Sequence, residues 1–322
     1  MQEAFTGCLS LQTVPLFNTA AVTSMQSMFS SCYSLQSVPL FNTAAVTRMD
    51  SMFTDCYSLQ SVPLFNTAAV TNMSLAFRGC TSLESVPLFN TAAVTNMSTM
   101  FNACTSLRTV PLFNTAAVTN MSFMFSACSS LHSIPAFNTA AVTDMQSMFN
   151  ACLSLREIPE LTMSAISSST ANSMALTGSV TLGKAKLTGM RWTQSFSSCN
   201  MAAAQLDEMY TALDKLNPNV TNVTATGTVV TYTVDDITAF VANRTVTITG
   251  VDPVAYNLTN VTVATVDRPN SRFTVNNAAT GTYVSGGVAA IQSDRTITVT
   301  GNPGVTGDDP TIATNKGWTV TG

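Results

Sequence analysis

Cysteines stand at positions 8, 32, 56, 80, 104, 128 and 152, each 24 residues after the one before. Prolines at 15, 39, 63, 87, 111, 135 and 159 keep the same step. Read from Leu35, one unit is L-Q-S-V-P-L-F-N-T-A-A-V-T-R-M-D-S-M-F-T-D-C-Y-S. Self-similarity at a fixed period of this length is the signature of a solenoid, in which each unit has an apolar flank that only its neighbours can cover. The register is unbroken over the first half of the 322 residues.

The columns that change least from unit to unit are expected to point inward. They are Leu35, Val38, Leu40, Phe41, Val46, Met49, Phe53 and Cys56 and their copies. Met25, Met28, Phe29 and Cys32 are spaced i, i+3, i+4, i+7 and predict one face of a two-turn helical segment. The run L-x-x-V-P-L reads as a short buried strand and fits the L-x-x-L-x-L core of leucine-rich repeats. Proline donates nothing to a ladder, so that strand ends at or before it. Val46–Met49 is an alternative strand, and the spacing does not choose between the two. Asn42, Asn66, Asn90 and Asn114 form a column expected to lie inward and bond the backbone of adjacent rungs. Of 17 methionines, 11 fall on two repeat positions, where flexible thioethers fill core gaps.

Composition narrows the function. Charged residues make up 9% of the chain and the formal charge is −4, against about 25% charged in ordinary soluble domains. Without a basic excess, partners recognised through phosphate neutralisation, whether nucleic acid or an anionic membrane surface, are disfavoured. One histidine, His132, builds neither a multi-histidine metal site nor a histidine acid/base pair. No run is long and apolar enough to span a bilayer, and the first residues carry no signal-peptide pattern.

After Pro159 the period dissolves. Met190–Cys199 reads as one degenerate unit, with Cys199 in the cysteine column. Residues 202–216 predict an amphipathic helix with Leu206, Met209, Tyr210, Leu213 and Leu216 on one side, suited to capping a stack. Alternating Val/Thr text follows at 228–234, 244–250, 260–266 and 272–275, the grammar of antiparallel strands. Segments 295–301 and 316–322 are expected to close as a hairpin. The expected organisation is a repeat solenoid over 1–161, a degenerate repeat and capping helix over 162–219, a small antiparallel β module over 220–293 and a C-terminal β-hairpin over 294–322. The fold class is therefore mainly β: 24-residue leucine-rich-repeat units with short strands and short helical turns, a capping helix, and a C-terminal antiparallel β module.

The segment F-S-S-C-Y-S-L-Q-S-V-P (Phe29–Pro39), with flanking F-N-T-A-A-V-T-N-M-S, resembles BspA-type leucine-rich repeats. The resemblance spans residues 5 to about 161 and implies a surface-exposed, non-enzymatic binding or adhesion module. The tail Ile297–Gly322 resembles the terminal segment of related repeat proteins, some of them encoded by bacteriophages. Residues 256–266 resemble small β-domains of phage tail and fibre proteins. One departure is that the chain opens inside a unit, at Phe5–Cys8, without a polar cap. An open end showing Phe5, Leu9 and Leu11 is expected to self-associate or take a partner.

Chemistry is sparse. Cys32, Cys56, Cys80, Cys104 and Cys128 lack the C-x2–4-C spacing of zinc sites, and side chains stacked rung over rung point alike, which is poor geometry for disulfides. They are expected to be buried packing thiols. Asp235–Asp236 and Asp308–Asp309 sit beside turn residues, where turn formation is preferred over calcium binding. No phosphate-loop or dinucleotide motif is present, and no cofactor is implied. The columns that do vary are Gln36, Gln60, Glu84, Arg108 and His132 in one, and Tyr33 and Tyr57 in the next. A position accepting such different side chains faces water, and exposed tyrosines suit carbohydrate or protein surfaces. The expected function is a non-enzymatic virion-associated or bacterial cell-surface protein, adhesive through this face toward a host glycan or surface protein. Its other expected partners are further virion or surface proteins and copies of itself. The alternative is a purely structural, self-assembling fibre or array component.

Overall fold

The computed structural model describes residues 1–163, 165–166, 182–188, 194–195, 201, 204–206, 220–226, 228–235, 240, 245–249, 257–276, 288–291, 296–298, 308–316 and 318–321. The protein is mainly β. Among the described residues, helix is confined to 204–206 and Thr311–Thr314.

The first half is a stack of 24-residue coils held by parallel contacts. Isolated bridges join Ser24 to Arg48, Arg48 to Asn72, and so on through Asn96 and Asn120 to Asp144. Of the two strand alternatives, this is the V-T-R-M one, shortened to one bridge per coil. The L-Q-S-V-P segment also contributes single rungs, such as the Gln36 N–H to the Gln12 carbonyl at 2.9 Å.

The expected helical turns are corrected. Met25–Cys32 is a chain of tight turns, because Ser27 and Ser31 have positive φ (53° and 59°), which an α-helix does not admit. The N–H groups of Met25, Ser27, Phe29 and Ser31 donate to Arg48, Asp50, Met52 and Thr54 of the next coil at 2.7–3.0 Å. Met28 and Cys32 bond back to Met25 and Phe29, three residues earlier. The apolar spacing is served all the same: Met25, Met28, Phe29 and Cys32 are completely buried. Successive phenylalanines stack down the core, Phe77 on Phe101 at 5.6 Å and Phe101 on Phe125 at 5.8 Å with rings within 6° of parallel.

Two columns expected inside lie outside. Leu40 is 59% exposed, as are Leu64 and Leu88. The Phe65 N–H donates to the Pro63 carbonyl at 2.9 Å, and the same contact recurs at Pro87–Phe89 and Pro111–Phe113. This three-residue turn places the leucine at its apex, facing water, and gives the inward slot to phenylalanine. The asparagine column is also exposed. Asn42, Asn66, Asn90 and Asn114 each accept, through Oδ1, the N–H two residues on, at 3.2 Å. The amide thus closes its own turn and does not bridge coils.

Beyond the regular coils, parallel pairing continues. Ser133 bridges Glu157, and β1 (Glu157–Thr162) pairs in parallel with β2 (Lys184–Thr188). β3 (Gln194–Ser195) pairs in parallel with β10 (Thr296–Thr298), which pairs in parallel with β11 (Thr319–Thr321). The expected C-terminal hairpin is therefore corrected. A short helix, Thr311–Thr314, lies in the connection between β10 and β11, and a connection that long returns the chain to run parallel. Of the expected helix over 202–216, residues 204–206 are helical with Leu206 buried, and positions 207–216 lie outside the described residues. So does Cys199.

Between β3 and β10 lies a curled six-stranded antiparallel sheet in the order β4-β5-β8-β7-β6-β9. Its strands are β4 (Val220–Thr226), β5 (Val229–Val234), β6 (Thr245–Thr249), β7 (Leu258–Asp267), β8 (Arg272–Asn276) and β9 (Val288–Ile291). The Val/Thr alternation turns Val230, Tyr232, Val234, Val246, Ile248, Phe273 and Val275 inward. Register shifts in β4–β5, β6–β7 and β7–β8 bend the strands.

Candidate binding face

The segment after each cysteine alternates sharply between core and water. Leu35 is fully buried, while Tyr33 on one side of it and Gln36 on the other are exposed. Backbone rungs hold the variable column in register, one residue per coil. Gln60 donates to Gln36 at 3.3 Å, Arg108 to Glu84 at 3.2 Å, His132 to Arg108 and Arg156 to His132 at 3.1 Å. Gln36, Gln60, Glu84, Arg108 and His132 are all exposed, and so are Tyr33 and Tyr57. The structure thus exposes all of the sequence-predicted residues, with contacts running along each of the two columns.

The Tyr33 and Tyr57 rings stack with centroids 4.8 Å apart and planes 26° from parallel. They stay 39% and 42% exposed, forming a small aromatic platform. The nearby Asp55 carboxylate, with some burial and Tyr33, pushes the Tyr57 phenol up, so it remains protonated and able to donate. Asp55 itself pairs with Arg78 of the next coil at 3.2 Å. Such a face can pack against the apolar side of a ring and offer hydroxyl, amide and charged partners beside it.

The cysteines are engaged by the backbone. Each thiol from Cys32 to Cys152 donates to the carbonyl of the phenylalanine 27 residues earlier, as Cys56 to Phe29 at 3.1 Å and Cys104 to Phe77 at 3.0 Å. Burial pushes these thiols up, Cys152 to about 12. A protonated thiol is what the hydrogen bond requires, so these groups are held unreactive.

Sequence reasoning missed a buried threonine ladder that joins coils. Thr43, Thr67, Thr91 and Thr115, each 1% exposed, donate Oγ1 to the Asn66, Asn90, Asn114 and Asn138 carbonyls at 2.8–2.9 Å. The signal was present, since threonine is as constant at that position as asparagine beside it.

Other polar clusters serve turns. The Asp309 carboxylate accepts the Thr311 N–H at 3.0 Å and the Thr311 hydroxyl, opening the short helix. Asp235 is exposed, and position 236 lies outside the described residues. A cleft of about 490 Å³ beside β7 is lined by Val261, Thr262, Val263, Ala264 and Asn276, with no ionisable group. Among the described residues, no group of three or more His, Cys, Asp or Glu is placed to hold a metal ion. No described helix is long and apolar enough to cross a membrane.

A repetitive chain of stacked coils with an exposed variable face is the class these features define. Residues 1–109 and 76–176 match the family described as a Mycoplasma protein of unknown function, DUF285, and the chain belongs to that family. The matched region contains the coils that resemble BspA-type repeats and is consistent with that resemblance. No curated protein matches the chain.

Proposed function

We propose that the coil stack is a BspA-type leucine-rich-repeat solenoid that acts as a non-enzymatic adhesion module, binding a glycan or protein on another surface through its variable face. The supporting observation is the stacked, exposed Tyr33–Tyr57 pair beside the exposed column from Gln36 to His132. Aromatic rings held by a rigid ladder lose little conformational freedom on binding, and flanking polar side chains add direction. The absence of an activated nucleophile or paired acids in that face favours binding over turnover. The phage-like C-terminal text supports placement on a virion, with the bacterial cell surface as the alternative.

Binding of the purified chain to a glycan array and to whole cells tests this reading. Tyr33→Ala/Tyr57→Ala is expected to weaken binding at least tenfold, and Glu84→Ala or Arg108→Ala several-fold. Binding unchanged in all three variants sinks the assignment of this face, and glycan cleavage sinks the non-enzymatic reading.

A further inference from the structure

Five leucines stand out of the stack in a line: Leu16, Leu40, Leu64, Leu88 and Leu112, from 59% to 67% exposed. With parallel rungs about 4.8 Å apart, the line runs roughly 20 Å. Its sixth position is Ala136 and its seventh is the exposed Glu160. Along its length it carries no charge, and each leucine is flanked three residues before by an exposed serine or threonine of the Ser37 column and two residues after by an exposed asparagine of the Asn42 column. An apolar centre, a polar uncharged rim and depletion of charge are the anatomy of a protein interface rather than of free surface.

We propose that this line is the contact between two copies of the chain, related by a two-fold axis through Leu64. The regular step makes the line self-complementary in that arrangement: Leu64 faces its own copy, Leu40 faces Leu88, and Leu16 faces Leu112. Charge selects the direction. Two copies side by side and parallel set Glu160 against Glu160, whereas the antiparallel pair carries each Glu160 beyond the partner's Leu16, clear of the apolar contact. Copies that each carry −4 repel one another elsewhere, so a face free of charge is where they meet. A single line of leucines with its rim lies at the low end of stable interface sizes, the class of weak, reversible contacts. The contact uses residues apart from the tyrosine platform and stands independently of the glycan reading.

Sedimentation of the full chain at tens of micromolar is expected to show twice the 34.0 kDa chain mass, and Leu40→Ser/Leu88→Ser is expected to return it to one. Register is read by oxidative cross-linking in a Cys8→Ser background, because Cys8 is exposed and free. Leu64→Cys is expected to cross-link with itself. Leu16→Cys is expected to do so only when mixed with Leu112→Cys. These substitutions replace exposed side chains, and an unchanged melting midpoint certifies that each variant is folded. A monomer at these concentrations, a dimer that survives Leu40→Ser/Leu88→Ser, or Leu16→Cys linking to itself as readily as Leu64→Cys overturns the proposal.

Discussion

The carboxylate of Asp55 lies over Gly79 of the following coil, in the space that a Cβ on Gly79 would occupy. Gly79 has φ of 74°, yet the same position in the next two coils is Ala103 and Ala127, at φ of 60° and 61°. Backbone conformation alone therefore does not demand glycine; the neighbouring side chain does. Gly79→Ala is expected to cost about 1–3 kcal/mol by overpacking. In an Asp55→Ala background the overpacking part of that cost is expected to vanish, leaving the smaller strain of alanine at positive φ. A double-mutant cycle on urea midpoints reads the coupling, and additive effects contradict the account.

Ala76 stands where the other regular coils carry methionine at the Met28, Met52, Met100, Met124 and Met148 position. An apolar void of about 10 Å³ lies there among Met49, Met52, Phe53, Met73 and Phe77. That is room for about one water, without polar partners to hold it. Methionine adds more than that void holds, so Ala76→Met is expected to lower stability by about 1–3 kcal/mol through overpacking, measured as a lower urea midpoint. A higher midpoint means that the surrounding side chains make room for the longer residue.

The thiol column predicts alkaline sensitivity. Burial raises the folded-state thiols above the ordinary value of 9.0. Between that value and the raised one, the folded chain holds protons that the unfolded chain releases, so stability is full below pH 9 and falls as pH climbs past it. Each column thiol contributes up to about 1.4 kcal/mol per pH unit in that window. Urea midpoints measured from pH 7 to pH 10.5 check the sign. Site-resolved alkylation at pH 8 is expected to label Cys8 quickly and to spare Cys32 through Cys152.

Thr91 donates to the Asn114 carbonyl at 2.8 Å from a buried position, whereas Asn90 closes an exposed turn. Thr91→Val leaves that carbonyl unpaired and is expected to cost about 1–3 kcal/mol. Asn90→Ala is expected to cost about half as much or less. Thermal melts of the two variants rank them, and the reverse order contradicts the ladder described above.

Much of the stack was legible because period and burial coincide. Leu35, Val38, Phe41, Val46, Met49, Phe53 and Cys56 are constant and all lie inside. Constancy misleads where a residue is fixed for another reason. Asn42 is held at its position because its carboxamide closes a turn, and Leu64 stands at a turn apex in water although its column is leucine in five coils. The helical spacing of Met25, Met28, Phe29 and Cys32 describes which side faces the core, and tight turns with alternate positive φ satisfy it as well as a helix does. Val/Thr alternation located four strands of the six-stranded sheet, β5 to β8, since period two follows from burying one face, and did not mark out β4 or β9. The same alternation is blind to strand direction, so parallel pairing of β10 with β11 was out of reach. The variable columns are exposed, and exposure is what lets them vary, but variation alone does not name a ligand.

The chain enters the six-stranded sheet after β3 and comes out of it into β10, which pairs in parallel with β3. The sheet is thus an insertion whose entry and exit strands lie side by side. Lengthening, shortening or exchanging such an insertion asks nothing new of the pair that brackets it. A chain built this way can trade the inserted part while keeping the strands on either side.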